Sequence, residues 1–170
     1  LGGTQVRAAL IKDGNVIKRE ALRTDVRGGP EAVLQQFRQL VKAVSEDVSE
    51  EVCAIGISSP GPLDTQTGVV IHITTLPGWE HFPLRSRVAE LFKMPVVLEN
   101  DGVSAAYGEW KHGAGIGTNN LVYATVSTGL GGGVIVDGKL LRGRRGIAAH
   151  IGHMSMALEG PVCTCGRIGC

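Results

Sequence analysis

Short apolar runs alternate along the chain with one long amphipathic stripe, and this alternation predicts a mixed α/β architecture. Residues 6–10 and 15–24 read as two strands. Asp13-Gly14 lies between them and is a turn dipeptide that accepts the positive φ of a tight hairpin. A helix follows, opened by Gly28-Gly29-Pro30-Glu31. Pro30 suits the first helical position and Glu31 suits the positive end of the helix dipole. Val33, Leu34, Phe37, Leu40, Val41 and Val44 then recur at helical spacing, which assigns this stripe to core packing.

Residues 52–58 form a short apolar run bounded by polar residues. The run predicts a strand buried on both faces, as in a parallel sheet, with Cys53 as a buried core thiol. Ser59-Pro60-Gly61-Pro62 ends it. A loop at the carboxyl end of a sheet strand is where ligands bind in open α/β folds. Residues 68–73 suggest another short strand. In the loop 74–79, Trp79 either covers a ligand or caps the core. Residues 83–92 read as a helix with Leu84, Val88, Leu91 and Phe92 on one face, and residues 95–98 as a second buried strand.

Glu99-Asn100-Asp101 comes next, at the start of a helix that holds Ala105, Ala106 and Trp110. Asn100 or Asp101 reads as a helix cap. The alternative is a carboxylate at the carboxyl edge of a parallel sheet, placed to accept a proton. Residues 112–120 make a glycine-containing connection. Residues 121–126 are a strand, residues 127–133 a glycine-rich turn, and residues 134–136 a strand before a second hairpin at Asp137-Gly138. A dinucleotide fingerprint or a P-loop needs a helix straight after its glycines, so this turn reads instead as a strand-turn-strand phosphate cradle. Gly2-Gly3-Thr4 also offers backbone N–H groups to a phosphate, or is a plain glycine pair at a strand end.

With 170 residues, the chain is long enough for one domain or for one lobe of a larger protein. An apolar fraction of 43% excludes a disordered chain. A net charge of +1 gives no reason to expect nucleic acid or an anionic membrane as partner. No apolar run reaches the roughly 20 residues of a membrane span, and no secretory leader pattern is visible. The chain opens on Leu1 in what reads as mid-strand and stops on a candidate metal ligand, so both ends are expected to be cut.

Three of the four cysteines fall within the last eight residues, after two histidines. His153, Cys163, Cys165 and Cys170 make a set of four N/S ligands suited to tetrahedral, structural Zn²⁺. Gly160-Pro161 turns the chain between them, and Gly166 and Gly169 permit tight folding. The competing reading is a disulfide or free thiols, although Cys-x-Cys is short for a bridge and one cysteine would be left over. Metal spacing fits a reducing, cytoplasmic setting.

Taken together, Gly2-Gly3-Thr4, Ser59-Pro60-Gly61, Glu99-Asn100-Asp101, the Ser127–Gly133 stretch, Gly152-His153 and the cysteine motif stand in an order that closely resembles the ROK family of bacterial sugar kinases and sugar-responsive repressors. The resemblance covers essentially the whole chain. It implies the actin-like, ribonuclease-H-like ATPase fold, with two α/β lobes and a cleft. Residues 1–110 would be the N-terminal lobe and residues 111–170 the start of the second. It implies a kinase transferring the γ-phosphate of ATP, with Mg²⁺, to a hexose or N-acetylhexosamine hydroxyl. In that pattern Asp101 is the general base. Gly61, Asn100, Asp101, His150 and His153 meet the sugar. Gly3, Thr4, Thr128, Gly129, Gly131 and Gly132 face the phosphates, and the zinc is structural. A homo-oligomer is expected, with no membrane or nucleic-acid partner for this chain.

Three departures from the family pattern stand out, the first on the phosphate or magnesium side and the other two on the sugar side. The acidic residue usual two positions before Gly2 lies outside the chain. His150 replaces a glutamate usual in glucose kinases, giving the His-x-Gly-His that N-acetylmannosamine kinases can carry. Thr75 replaces an asparagine common in glucokinases. A neutral imidazole both donates and accepts where a carboxylate only accepts, so both exchanges lean away from a strict glucokinase, and His150 alone slightly favours N-acetylmannosamine over glucose. A sugar-sensing repressor with an upstream DNA-binding segment is the alternative from another class. A zinc module alone leaves residues 1–136 unexplained.

Overall fold

In a computed structural model, residues 1–46, 48, 51–127, 129–144, 146–163 and 165–170 are described. The chain divides into two compact units, Leu1–Asn100 and Asp101–Cys170.

The first unit opens with the expected hairpin. Strands β1 (Gln5–Lys12) and β2 (Asn15–Arg23) pair antiparallel around Asp13 and Gly14, both at positive φ. Helix α1 (Gly29–Ser45) has Pro30 in its first turn and buries Val33, Leu34, Leu40 and Val44, the stripe read from the sequence. Strand β3 (Ile55–Ser59) pairs in parallel with β6 (Val96–Asn100), so Ser59 stands beside Asn100 at the carboxyl ends. Between them come the short strands β4 (Leu63–Asp64) and β5 (Val69–Val70) and helix α2 (Leu84–Phe92). Val6, Val33, Leu63, Val70, Trp79, Leu84 and Leu98 belong to one apolar cluster. Trp79 lies in it with its ring centroid 5.0 Å from that of Phe82, which settles the open choice in favour of a core cap.

Two expectations are corrected here. Strand β3 is not buried on both faces, because Gly56 and Ser58 are exposed while Ile57 and Ser59 are buried. In β6 Val97 is exposed and Leu98 buried. The apolar run concealed a period of two, since β3's outward positions are small residues. Cys53 precedes β3, and its thiol is exposed rather than in the core.

The second unit begins with helix α3 (Asp101–His112), which packs on strands β7 (Leu121–Val126) and β8 (Leu130–Val136). Residue 110, where the notional end of the first lobe is expected, lies inside α3. Strand β9 (Lys139–Leu140) extends the antiparallel sheet in the order β7-β8-β9. A 3-10 turn, Ile151–His153, follows and lies against β8. The glycine-rich stretch is also corrected. Gly131, Gly132 and Gly133 are strand residues paired with Thr125, Ala124 and Tyr123. No described helix is long and apolar enough to cross a membrane.

Candidate functional site

In the first unit, Thr24 holds the Gly2-Gly3-Thr4 segment. Its hydroxyl donates to Gly2 O at 2.7 Å, and its N–H donates to Thr4 O at 3.0 Å. Gly3 lies against Thr75, where a methyl would sit 2.8 Å from Thr75 Oγ1. A cavity of about 1620 Å³ is lined by this segment, the hairpin, α1 and β3. Its walls are largely the apolar flanks of those elements, not the corner where Gly61 meets Asn100. At that corner a methyl on Gly61 would lie 3.4 Å from Asn100 Nδ2. Asn100 is itself buried, and its N–H donates to Glu99 Oε1 at 3.0 Å. The structure thus joins Gly61 with Asn100, and Gly3 with Thr75.

In the second unit, Asp101 is the first residue of α3 and is exposed. Its Oδ1 accepts a hydrogen bond from Gly102 N–H at 2.8 Å, which fixes one oxygen of the carboxylate. The half-buried His150 lies within the field of Asp101. Burial lowers its pKa from 6.5, the nearby His153 lowers it further, and the Asp101 charge opposes both. At neutral pH its imidazole is uncharged, with one donor and one acceptor. Gly129 has open space where a side chain would be, while Gly132 is enclosed. Thr128 lies outside the described residues.

His153, Cys163, Cys165 and Cys170 come together as read from their spacing. Their ligand atoms all lie within 4.8 Å of one another. Cys163 Sγ is 3.6 Å from His153 Nδ1, and Cys165 Sγ is 3.5 Å from Cys170 Sγ. Tetrahedral sulfurs about 2.3 Å from a zinc ion stand about 3.8 Å apart, so the set fits that ion. The chain turns back on itself to bring the ligands in. Gly166 N–H donates to Cys163 O at 2.8 Å, and Met156 N–H donates to Gly169 O at 2.6 Å. Hydrogen bonds from the Cys165 backbone and side chain lower the Cys163 thiol to about 6. Hydrogen bonding to Cys165 and partial desolvation raise Cys170 to about 11.

The ROK family matches residues 1–170. The chain belongs to the ROK family. As a ROK chain it has the actin-like, ribonuclease-H-like α/β ATPase fold. It is 39% identical over 171 residues to a glucokinase of Thermotoga maritima, a match covering all of this chain and 53% of that protein. It is 37% identical over 173 residues to an N-acetylmannosamine kinase of Vibrio cholerae, covering all of this chain and 58% of that protein. It superposes with a TM-score of 0.87 on a ROK family glucokinase from Streptomyces griseus in complex with glucose and AMPPNP. That match has 35% identity and covers 100% of this chain and 53% of the other. The ROK chain described here therefore spans about half the length of the curated relatives it matches.

The site contribution that sequence reasoning missed is the packing of Gly102, Gly133 and Gly152. The signal was present for Gly102 and Gly152 as glycines next to Asp101 and His153, and for Gly133 as part of the glycine run, but only the fold shows what they touch.

Proposed function

We propose that the protein containing this chain is an ATP-dependent sugar kinase acting on a hexose or N-acetylhexosamine hydroxyl. The observation that carries this reading is Asp101 itself, an exposed carboxylate at the start of α3 with one oxygen fixed by Gly102 N–H at 2.8 Å. The family membership and the relatives' names support the same reading.

Asp101 takes the proton of the attacking sugar hydroxyl as that oxygen bonds to the γ-phosphorus of ATP and ADP leaves. A positioned base is typically worth 10²- to 10⁴-fold. Asn100 and Gly61 bind neighbouring sugar groups, and His150 and His153 complete that recognition. Gly3, Thr4, Thr128, Gly129, Gly131 and Gly132 serve the phosphates. Phosphoryl transfer needs mainly positioning and charge stabilisation, and Mg²⁺ arrives with the nucleotide. Zinc at His153, Cys163, Cys165 and Cys170 is structural, since protein groups supply all four positions. Residues 1–110 and 111–170 serve as parts of two lobes in a cytoplasmic homo-oligomer.

N-acetylmannosamine is favoured over glucose because His150 both donates and accepts. Glucose is the second reading, supported by identity to the Thermotoga glucokinase. An ADP-release assay on the full-length protein tests both, with glucose, mannose, N-acetylglucosamine and N-acetylmannosamine as substrates. Turnover highest on N-acetylmannosamine is expected, and no turnover on any of the four overturns the kinase reading.

A further inference from the structure

Strand β8 carries a different structure on each face. Successive strand residues point to opposite faces, and two adjacent glycines use that alternation here. On one face Gly133 meets α3. A methyl at Gly133 would lie 2.5 Å from Ala106 Cβ, 3.0 Å from Val103 Cα and 3.2 Å from Gly102 O. The contact is reciprocal, because a methyl at Gly102 would lie 2.8 Å from Gly132 N and 2.9 Å from Gly132 O.

On the other face Gly132 meets the 3-10 turn. A methyl there would lie 2.8 Å from Ile151 Cδ1 and would strike Tyr123 O. Gly152 sits so close to the Leu130 carbonyl that it too has no room for a side chain. Non-bonded carbons settle at about 3.5–4.0 Å, so the backbone approaches at Gly102, Gly132, Gly133 and Gly152 depend on glycine, while the Ile151 side chain that seats on Gly132 can turn aside. Their neighbours in sequence are the residues with chemical roles. Asp101 directly precedes Gly102, and His153 directly follows Gly152.

We propose that Gly132 and Gly133 are positioning residues that hold the metal-ligating turn and the first turn of α3 on opposite faces of one strand, so that the metal site sets the placement of Asp101. The inference rests on Asp101 being the base. It gives Gly132 a second task beside the phosphates and assigns Gly133 to α3 alone, together forming the backbone contact between two parts of the second unit. Release of His153 from a metal loosens the turn, unseats Ile151 from Gly132, and removes one side of the support behind α3.

The test uses the full-length protein. Residue-resolved hydrogen exchange is measured with zinc bound and after chelation. Amides 102–105 are expected to lose protection at least about tenfold, together with amides 151–153. Opening of 151–153 with 102–105 unchanged within about twofold overturns the proposal. In zinc-loaded protein, Gly133→Ala is expected to lower kcat about 10- to 100-fold while KM for ATP stays within about threefold, as a displacement near 1 Å does. Wild-type kcat in a Gly133→Ala protein that binds zinc and keeps its Tm also overturns it. Should Gly133→Ala fail to fold, Ile151→Ala keeps every backbone contact and is expected to raise exchange at 102–105 in the same sense; unchanged exchange there overturns the proposal. If the wild type turns over no sugar, the kinase reading falls, and the exchange measurement alone decides the coupling.

Discussion

Replacing Cys165 with serine removes one of the four gathered ligands, and the structure sets the size of the effect. Sixteen described residues from 154 to 170 follow the 3-10 turn. They bury little, with Leu158 99% exposed, Met156 82% and Val162 70%. The buried remainder of the segment's large apolar side chains amounts to about one and a half fully buried chains, or about 3 kcal/mol. The backbone hydrogen bonds Met156 N–H to Gly169 O, Cys163 N–H to Arg167 O and Gly166 N–H to Cys163 O add about 3 kcal/mol more. Ordering sixteen residues costs at least about 16 kcal/mol, which leaves a deficit of about 10 kcal/mol. Structural zinc supplies about 10–16 kcal/mol in small peptides, so a zinc ion held by the four gathered ligands would close that deficit. Cys165→Ser is therefore expected to lower zinc content from one per chain to below about one tenth. Tryptic cleavage after Arg167 is expected to accelerate by at least about 100-fold, because proteolysis follows the population of the open form. Retention of one zinc per chain, or a cleavage rate within about threefold of wild type, would refute the reasoning and require another contact to hold the segment.

Trp79→Ala should destabilise the protein by about 3–5 kcal/mol in urea titration, as loss of a buried aromatic does, with the sugar KM within about twofold; a raised KM at unchanged stability would instead place Trp79 at a ligand. The lowered pKa of His150 makes stability fall as pH drops below 6.5, because the unfolded chain takes up the proton before the folded one does. The loss stops growing below the folded pKa and is absent above 6.5. His150→Gln is expected to flatten this part of the stability profile, and an unchanged slope between about pH 5.5 and 7.5 would count against it.

Local chemistry made the hairpin, α1 and the ligand cluster legible in the sequence. Asp13-Gly14 specifies its own turn, and the stripe from Val33 to Val44 specifies its own buried face. The gathering of His153, Cys163, Cys165 and Cys170 was legible because a Zn²⁺ site demands particular atoms, and the glycines between them allow the chain to close. The burial of β3 was misread because Gly56 and Ser58, although small, are outward positions. The glycine stretch was misread because its meaning lies in what crosses it. Gly102 and Gly152 are distant in sequence from Gly132, and only the fold brings their backbones together. Asp101 stood open between a cap and a base. The proposed base rests on family membership, which is information from outside its own segment.

The central claim is that Asp101 removes the proton from the sugar hydroxyl. Asp101→Asn keeps the shape of the side chain and removes the base, so steady-state kinetics of the full-length protein with its best sugar test the claim directly. The account predicts that kcat falls about 10²- to 10⁴-fold, with sugar affinity within a few-fold of wild type. A kcat within about tenfold of wild type, below the usual contribution of a general base, would contradict it and return Asp101 to the role of a helix cap.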